Sequence, residues 1–389
     1  MAELWHGPTL AFKDLSMQVL CGFMEKLLAK KRQKIKLLVG TSGDTGASSI
    51  EGALGKENLS VCVLYPSRSH SSITREQEFE TVCHAEAPNV TVVCCEGNSD
   101  DLDVPIEECF RDLEFKAHAN ISSVNSVNIF RVIMQVVHYF YCYLLLNRSE
   151  KAKEISFYVP SGGCGHCSAG ILAAQMGLPI HSIVACVNQN DVLDSLLKRG
   201  NLDSNPKVVP TLAPSMDIVV PYNLERILFL MSNQNRSKVR QWMNRWKGEG
   251  KVELTEGERK VLSEVLRLRS ASMTDKEILD TIFLVEKEFS YIIDPHTAVA
   301  VGACLSDEGS PGKVPRVCMG CAHPGKFSKA VSDALGGAPP VQWMPNREHP
   351  AVADILQLLE TSSNEEKAGV HYFVKGQDWT KQLRDILTT

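Results

Sequence analysis

Short β-rich runs that alternate with amphipathic helical runs predict an α/β fold, with parallel sheets covered by helices on both faces. Three observations carry that prediction. Strand-like apolar runs occur at residues 35–39, 59–64, 90–94, 155–159 and 180–187, with helical patterns between them. Two strand-to-helix turns, 40–46 and 161–170, are rich in glycine and small residues. The chain has 389 residues, which at roughly 150 per domain suggests two or three domains, each able to bury a core without staples.

Along the chain, apolar residues at 15, 19, 20, 23, 24, 27 and 28 share one helical face. This predicts a helix beginning directly after Lys13 with Asp14 as its N-cap. Strand 35–39, a glycine-rich turn, a helix and strand 59–64 then make a βαβ unit. Helices are expected around 72–83 and 102–116, on either side of strand 90–94. The apolar stretch 132–146 is interrupted by Gln135 and His138 and is shorter than the roughly 18 to 20 residues of a membrane span, so it reads as a buried helix. Strands 155–159 and 180–187 alternate with helices 169–176 and 192–198. Segments 201–215, with three prolines, and 241–260, charged and broken by glycines, read as surface insertions. Residues 306–315 read as a Gly/Pro loop, and a short tail with one or two helices is expected beyond Pro340.

Lys and Arg total 41 against 46 Asp and Glu, a formal charge of −5, with 44% hydrophobic and 22% charged residues. That balance predicts neither disorder nor a nucleic-acid footprint. Thirteen cysteines are too few for a disulfide scaffold of this length. The opening Met1–His6 has neither the basic nor the apolar region of a secretory signal. The expected setting is therefore reducing and cytoplasmic, with no membrane and no nucleic acid as partner.

A glycine-rich turn entering a helix presents backbone N–H groups to an anion, and glycine lets the backbone approach it closely. Lys13, at a helix start beside Phe12, is placed to be desolvated, which favours the nucleophilic amine. The competing reading is an ordinary solvated lysine. One lysine and two anion cradles together are what a pyridoxal-phosphate (PLP) enzyme needs, one cradle for the cofactor phosphate and one for the substrate carboxylate.

The ordered series HGPTLAFKD (6–14), TSGDTGAS (41–48), NSVNIFR (125–131), SMDIVVPYNLER (215–226), DPHTAV (294–299) and CAHPGKF (321–327) resembles the motifs of threonine synthases, above all their animal synthase-like branch. The resemblance implies a tryptophan-synthase-β-like fold (fold type II of the PLP enzymes) with PLP as cofactor and Lys13 as its Schiff-base lysine. It implies that Ser42, Gly43 and Thr45 face the substrate carboxylate and Asp44 the cofactor's ring oxygen. Gly162, Gly163, Cys164, Gly165 and His166 would hold the cofactor phosphate, with Cys321 at the pyridine nitrogen. Asn125, Ser126, Asn128 and Arg131 would grip substrate, Arg131 through its planar fork on a phosphate; capping and packing are the alternative for Asn128 and Arg131. The expected partner is a small phosphorylated amino acid. The domain expectation is a larger unit of residues 1–30 and 125–335, a smaller one of 31–124, and a tail of 336–389.

Three departures from the family pattern stand out. The phosphate loop reads Gly163-Cys164-Gly165-His166 in place of a Gly-Asn-x-Gly pattern, Cys321 replaces a threonine, and the family's segment before HGPTLAFKD is missing. The last suggests an N-terminally truncated chain with apolar surface left uncovered. Cys164-Gly165-His166-Cys167 also spells a thiol-disulfide motif, but without the preceding Trp and with Ser161-Gly162-Gly163 intervening. Zinc is not expected from a single such pair. The expected activity is phospho-lyase chemistry giving a 2-oxo acid, ammonia and phosphate. The alternatives are a threonine synthase proper, a catalytically inactive binding or secreted signalling form, and a thiol-disulfide oxidoreductase acting through Cys164 and Cys167.

Overall fold

The computed structural model describes residues 1–148, 153–203, 207–308, 314–360 and 368–388. Its described strands are β1 (Ala2–Glu3), β2 (Ile35–Gly40), β3 (Leu59–Pro66), β4 (Val90–Cys95), β5 (Ile121–Ser122), β6 (Ile155–Pro160), β7 (Ile180–Val187), β8 (Asn201–Asp203), β9 (Lys251–Glu253), β10 (Leu268–Ser272), β11 (Arg316–Gly320) and β12 (Val370–Phe373). Ten of them form two five-stranded sheets in which every pairing is parallel. The predicted α/β class with parallel sheets is therefore the class observed.

The chain divides into two compact units. The larger comprises Met1–Leu4, Val132–Pro324 and Ser328–Pro339 and holds the sheet ordered β1-β11-β6-β7-β10. Strands β6 and β7 are mostly apolar and almost wholly buried, as expected of central parallel strands, and their buried Ser156 and Ser182 bond to each other. Helix Pro295–Ser306 starts on Asp294, whose carboxylate accepts from the His296 and Thr297 N–H groups, with proline at the first position.

The smaller unit comprises Trp5–Arg131, Gly325–Phe327 and Pro340–Thr389, with the sheet ordered β12-β4-β3-β2-β5. Period-two alternation sends Leu37, Val39, Val61, Val63 and Val92 to one face, where Met17, Leu20, Cys21 and Ile50 cover them. Leu38, Cys62, Leu64 and Val93 go to the other, against Leu102, Cys109 and Leu383.

Several expectations are corrected. The first helix, α1 (Lys13–Lys31), has Phe12 at its N-cap position. Asp14 turns away from that role because its carboxylate accepts both the N–H and the hydroxyl of Thr9, at 2.8 and 2.6 Å. Because α1 packs on this unit's core, residues 5–30 group here rather than with 132–324. The C-terminal stretch is more than a tail: β12 completes the sheet beside β4, and helix Trp379–Thr388 packs on its face. The helical run 102–116 is two helices, Ser99–Arg111 and Leu113–His118, broken at Asp112, which caps the second.

Segments 201–215 and 241–260 are more ordered than insertions. Strands β8 and β9 pair antiparallel, and helix Arg236–Glu249 anchors Trp242 and Trp246 in the interior. Residues 204–206 of the first segment, and 309–313 of the Gly/Pro loop, lie outside the described residues. The apolar helix runs from Ile129 to Asn147, long and apolar enough by length and composition to cross a membrane. It is not wholly buried as expected: Val132, Val136, Tyr139 and Cys142 face inward, whereas Ile133, Val137, Tyr141 and Leu144 are exposed.

Candidate active site

In the smaller unit the HGPTLAFKD segment enters α1 through a tight loop. Gly7 is obligatory there, because a Cβ would lie 2.3 Å from the Asp14 Cβ. Thr9 closes the loop onto Asp14 and reaches Ser48 Oγ at 3.1 Å. Lys13 therefore starts the helix in a fixed position, its side chain only 13% exposed, with Nζ 2.9 Å from Asp44 Oδ2 and 5.0 Å from the Phe12 ring centroid. Asp44 opens α2 (Asp44–Ala53).

Two further residues hold Asp44. Gln77, on α3 (Arg75–Val82), donates to Oδ1 at 2.8 Å, and Lys326 Nζ lies 3.3 Å from the same oxygen. Lys326 is fully buried; it also donates to the Thr9 carbonyl at 2.5 Å and pairs with Glu80. Burial works against its charge, but Glu80 and Asp44 outweigh that and keep it protonated. Burial pushes the Glu80 carboxyl up to about 8 despite the adjacent ammonium, and Glu80 Oε1 has no hydrogen-bond partner among the described residues. The sequence reading missed Gln77 and Glu80. They sit on a buried polar face of α3 with Glu76 and Thr81, and polar residues at helical spacing read as a solvated face.

The turn after β2 places Ser42, Gly43, Asp44 and Thr45 at the N-terminus of α2, stapled by Thr41 Oγ1, which accepts from the Gly43 and Gly46 N–H groups. Gly43 admits no side chain, since a Cβ would meet the Gln77 amide at 2.5 Å. After the neighbouring β5, Asn125 donates to the Gly40 carbonyl at 2.8 Å, which ties 123–128 to the end of β2. Ser126 lies in that turn. Asn128 spends its amide on the Ser123 carbonyl and its Oδ1 on the Phe130 N–H, a capping role. Arg131 is buried, donates to the Val124 carbonyl at 3.2 Å, and keeps an Nε with no hydrogen-bond partner among the described residues. Burial lowers its pKa to about 10.

In the larger unit, the loop after β6 and Cys321 after β11 lie at the C-terminal ends of adjacent parallel strands, where open α/β sheets bind ligands. Segment 215–226 clamps the loop. A Cβ on Gly162 would come within 3.0 Å of Met216 Cα, and Asn223 donates its backbone N–H and its side-chain amide to the Gly163 carbonyl. Cys164 takes a left-handed conformation, φ 59°, at the N-cap of helix Gly165–Gln175. Buried Gln135, whose Oε1 has no hydrogen-bond partner among the described residues, stands 3.9 Å from where a Gly165 Cβ would lie. His166 turns inward, its Nε2 3.2 Å from His138 Nδ1. Cys321 donates its N–H to Thr297 Oγ1 at 3.1 Å, and Thr297 in turn bonds Asp294. A glycine that excludes a side chain at Gly162 and a helix N-terminus directly after it fit the phosphate of a phosphorylated cofactor.

The Cys-x-x-Cys pair has the wrong electrostatics for redox work. Burial raises the Cys167 thiol to about 12 and the Cys164 thiol well above its ordinary value, the reverse of a reactive thiolate. Cys167 contacts Ser161 Oγ at 2.8 Å, and both cysteines are free. Among the described residues no group of three or more His, Cys, Asp or Glu could hold a metal ion.

The chain as a whole is similar to known proteins. The family model described as "Threonine synthase, C-terminal" matches residues 297–369. The chain is 36% identical over 390 residues to threonine synthase-like 2 of Rattus norvegicus, spanning 99% of this chain and 76% of that protein. It is 34% identical over 359 residues to the threonine synthase of Saccharomyces cerevisiae, spanning 86% and 68%. The solved PLP-bound threonine synthase of Brucella melitensis matches with a TM-score of 0.84 at 32% identity, over 99% of this chain and 77% of that one. The architecture is thus that of the type II PLP-dependent enzymes. Within that class, the chain belongs to the threonine synthase family.

Proposed function

We propose that this chain is a PLP-dependent lyase acting on phosphorylated hydroxy-amino acids of the O-phosphothreonine or O-phosphohomoserine type, releasing a 2-oxo acid, ammonia and phosphate. The observation that supports it most is Lys13, a nearly buried amine fixed at a helix start and held at 2.9 Å by a carboxylate with three further residues behind it. In this reading Lys13 holds the cofactor, Asp44 faces its ring oxygen, the backbone of Gly162–His166 takes its phosphate, and Cys321 supports its ring nitrogen. When bound, PLP draws electrons from the substrate's α carbon. Lys13 would take the α proton on Nζ, and Asp44, 2.9 Å away, would hold the resulting ammonium. The Ser42–Thr45 turn receives the substrate carboxylate, with Asn125 and Ser126 alongside. Arg131, with an Nε still to donate, would draw the substrate phosphate, which departs with the C–O electron pair; for phosphohomoserine, whose phosphate is on the γ carbon, a β proton must leave as well, and in both cases one water hydrolyses the released enamine to the 2-oxo acid and ammonia.

Threonine synthase proper is the second reading, favoured by the identity to the yeast threonine synthase. The test is to incubate PLP-loaded protein with each phosphorylated amino acid and quantify products. The lyase reading expects equal phosphate, 2-oxo acid and ammonia with no threonine. Threonine formed from phosphohomoserine would favour the synthase, and no phosphate from any substrate would favour an inactive binding form.

A further inference from the structure

The buried ion set around Lys13 is larger than one lysine–carboxylate pair. Lys326, at the end of the CAHPGKF motif, presents a second ammonium to the same carboxylate, Oδ1 of Asp44 facing Lys326 and Oδ2 facing Lys13. Charged groups reach Lys326 from every helix of the cluster: Asp14 from α1, Asp44 from α2 and Glu80 from α3. Its amine also donates to the Thr9 carbonyl, and at 0% exposure water cannot screen it.

We propose that Lys326 is a positioning residue that tunes Lys13 through Asp44. With Gln77 it grips Oδ1, so a single carboxylate oxygen faces Lys13. Its fixed positive charge also draws on Asp44, so that less of this shared carboxylate is left to hold Lys13. A cation set beside a nucleophilic lysine is an established way to favour the neutral amine. Glu80 offsets Lys326, and the burial that favours its neutral form lets more of the Lys326 charge bear on Asp44.

The inference rests on reading Lys13 as the cofactor lysine, but its test does not require cofactor. Cyanate reacts only with neutral amines, so the carbamylation rate of Lys13 in the cofactor-free protein, followed by peptide mass spectrometry, reports how readily that amine is freed. The double variant Lys326→Met/Glu80→Gln removes the pair without leaving a lone buried charge. At pH 8 its Lys13 should carbamylate at least about threefold more slowly than the parent's. The near-isosteric Glu80→Gln should move the rate the other way, faster than the parent at pH 9. In PLP-loaded protein the pH midpoint of the visible absorbance change should move alkaline in the double variant. Rates in Glu80→Gln equal to the parent's, or a folded double variant that carbamylates as fast as the parent, would overturn the role of Lys326. Failure of the parent to carry PLP on Lys13 would instead overturn the lyase reading.

Discussion

At Arg131 a guanidinium is buried with a backbone carbonyl as its acceptor and no ion pair among the described residues. Packing alone does not account for the unspent donor, so the phosphate role gives a sharp expectation. Arg131→Ala should weaken binding of phosphorylated substrates by about 1.5 to 3 kcal/mol, the range of a charge-assisted hydrogen bond, while sparing unphosphorylated serine and threonine. Equal losses in calorimetric titrations with both classes would leave Arg131 a packing residue. The His138–His166 pair carries a pH prediction. Burial holds His138 down at about 4, from an ordinary 6.5, and burial with the neighbouring His138 lowers His166 well below its ordinary value. The unfolded chain therefore binds these protons first, and stability present at neutral pH is lost as pH falls from about 6.5 through 4. For His138 alone the loss is at most about 3 kcal/mol. His138→Gln keeps a hydrogen-bonding end without the titration, so urea unfolding of the variant should lose less stability than the parent between pH 7 and 4.5. An identical loss would contradict the assignment.

Among the elements, strands were the most legible. Runs at 35–39, 59–64 and 155–159 became β2, β3 and β6 with ends shifted by a residue or two, because a continuous apolar run flanked by glycine or proline is close to self-defining in a parallel sheet. The short edge strands β1, β5 and β12 gave no such signal, since two to four residues carry no period. The helix at Lys13 was legible from its apolar face, but its cap was not: a loop contact with Thr9 outcompeted capping by Asp14. The glycine loop was visible as composition; the clamp from Ser215 to Asn223 needed the tertiary fold. Two variants test that element. Gly162→Ala should force the loop off Met216 and lower PLP occupancy several-fold, read from absorbance after gel filtration. Cys164→Ser/Cys167→Ser preserves the backbone donors and should retain cofactor, with no insulin reduction by parent or variant. Insulin reduction by the parent that disappears in this variant would restore the thiol-disulfide reading.

For the whole molecule, each unit repeats one principle: the candidate functional segments follow the C-terminal ends of adjacent parallel strands, β2 with β5 and β6 with β11. Their order along the chain was readable as a motif series, whereas Gln77 and Glu80 on a polar helix were visible only once that helix was seen to be buried. The account depends on Lys13 above all, so the direct measurement is chemical. Purified protein should be loaded with PLP, reduced with borohydride and mapped by peptide mass spectrometry. The pyridoxyl group is expected on Lys13 in stoichiometric yield, and Lys13→Ala should abolish both the label and turnover. A pyridoxyl group on Lys326, or undiminished labelling of Lys13→Ala, would contradict the account.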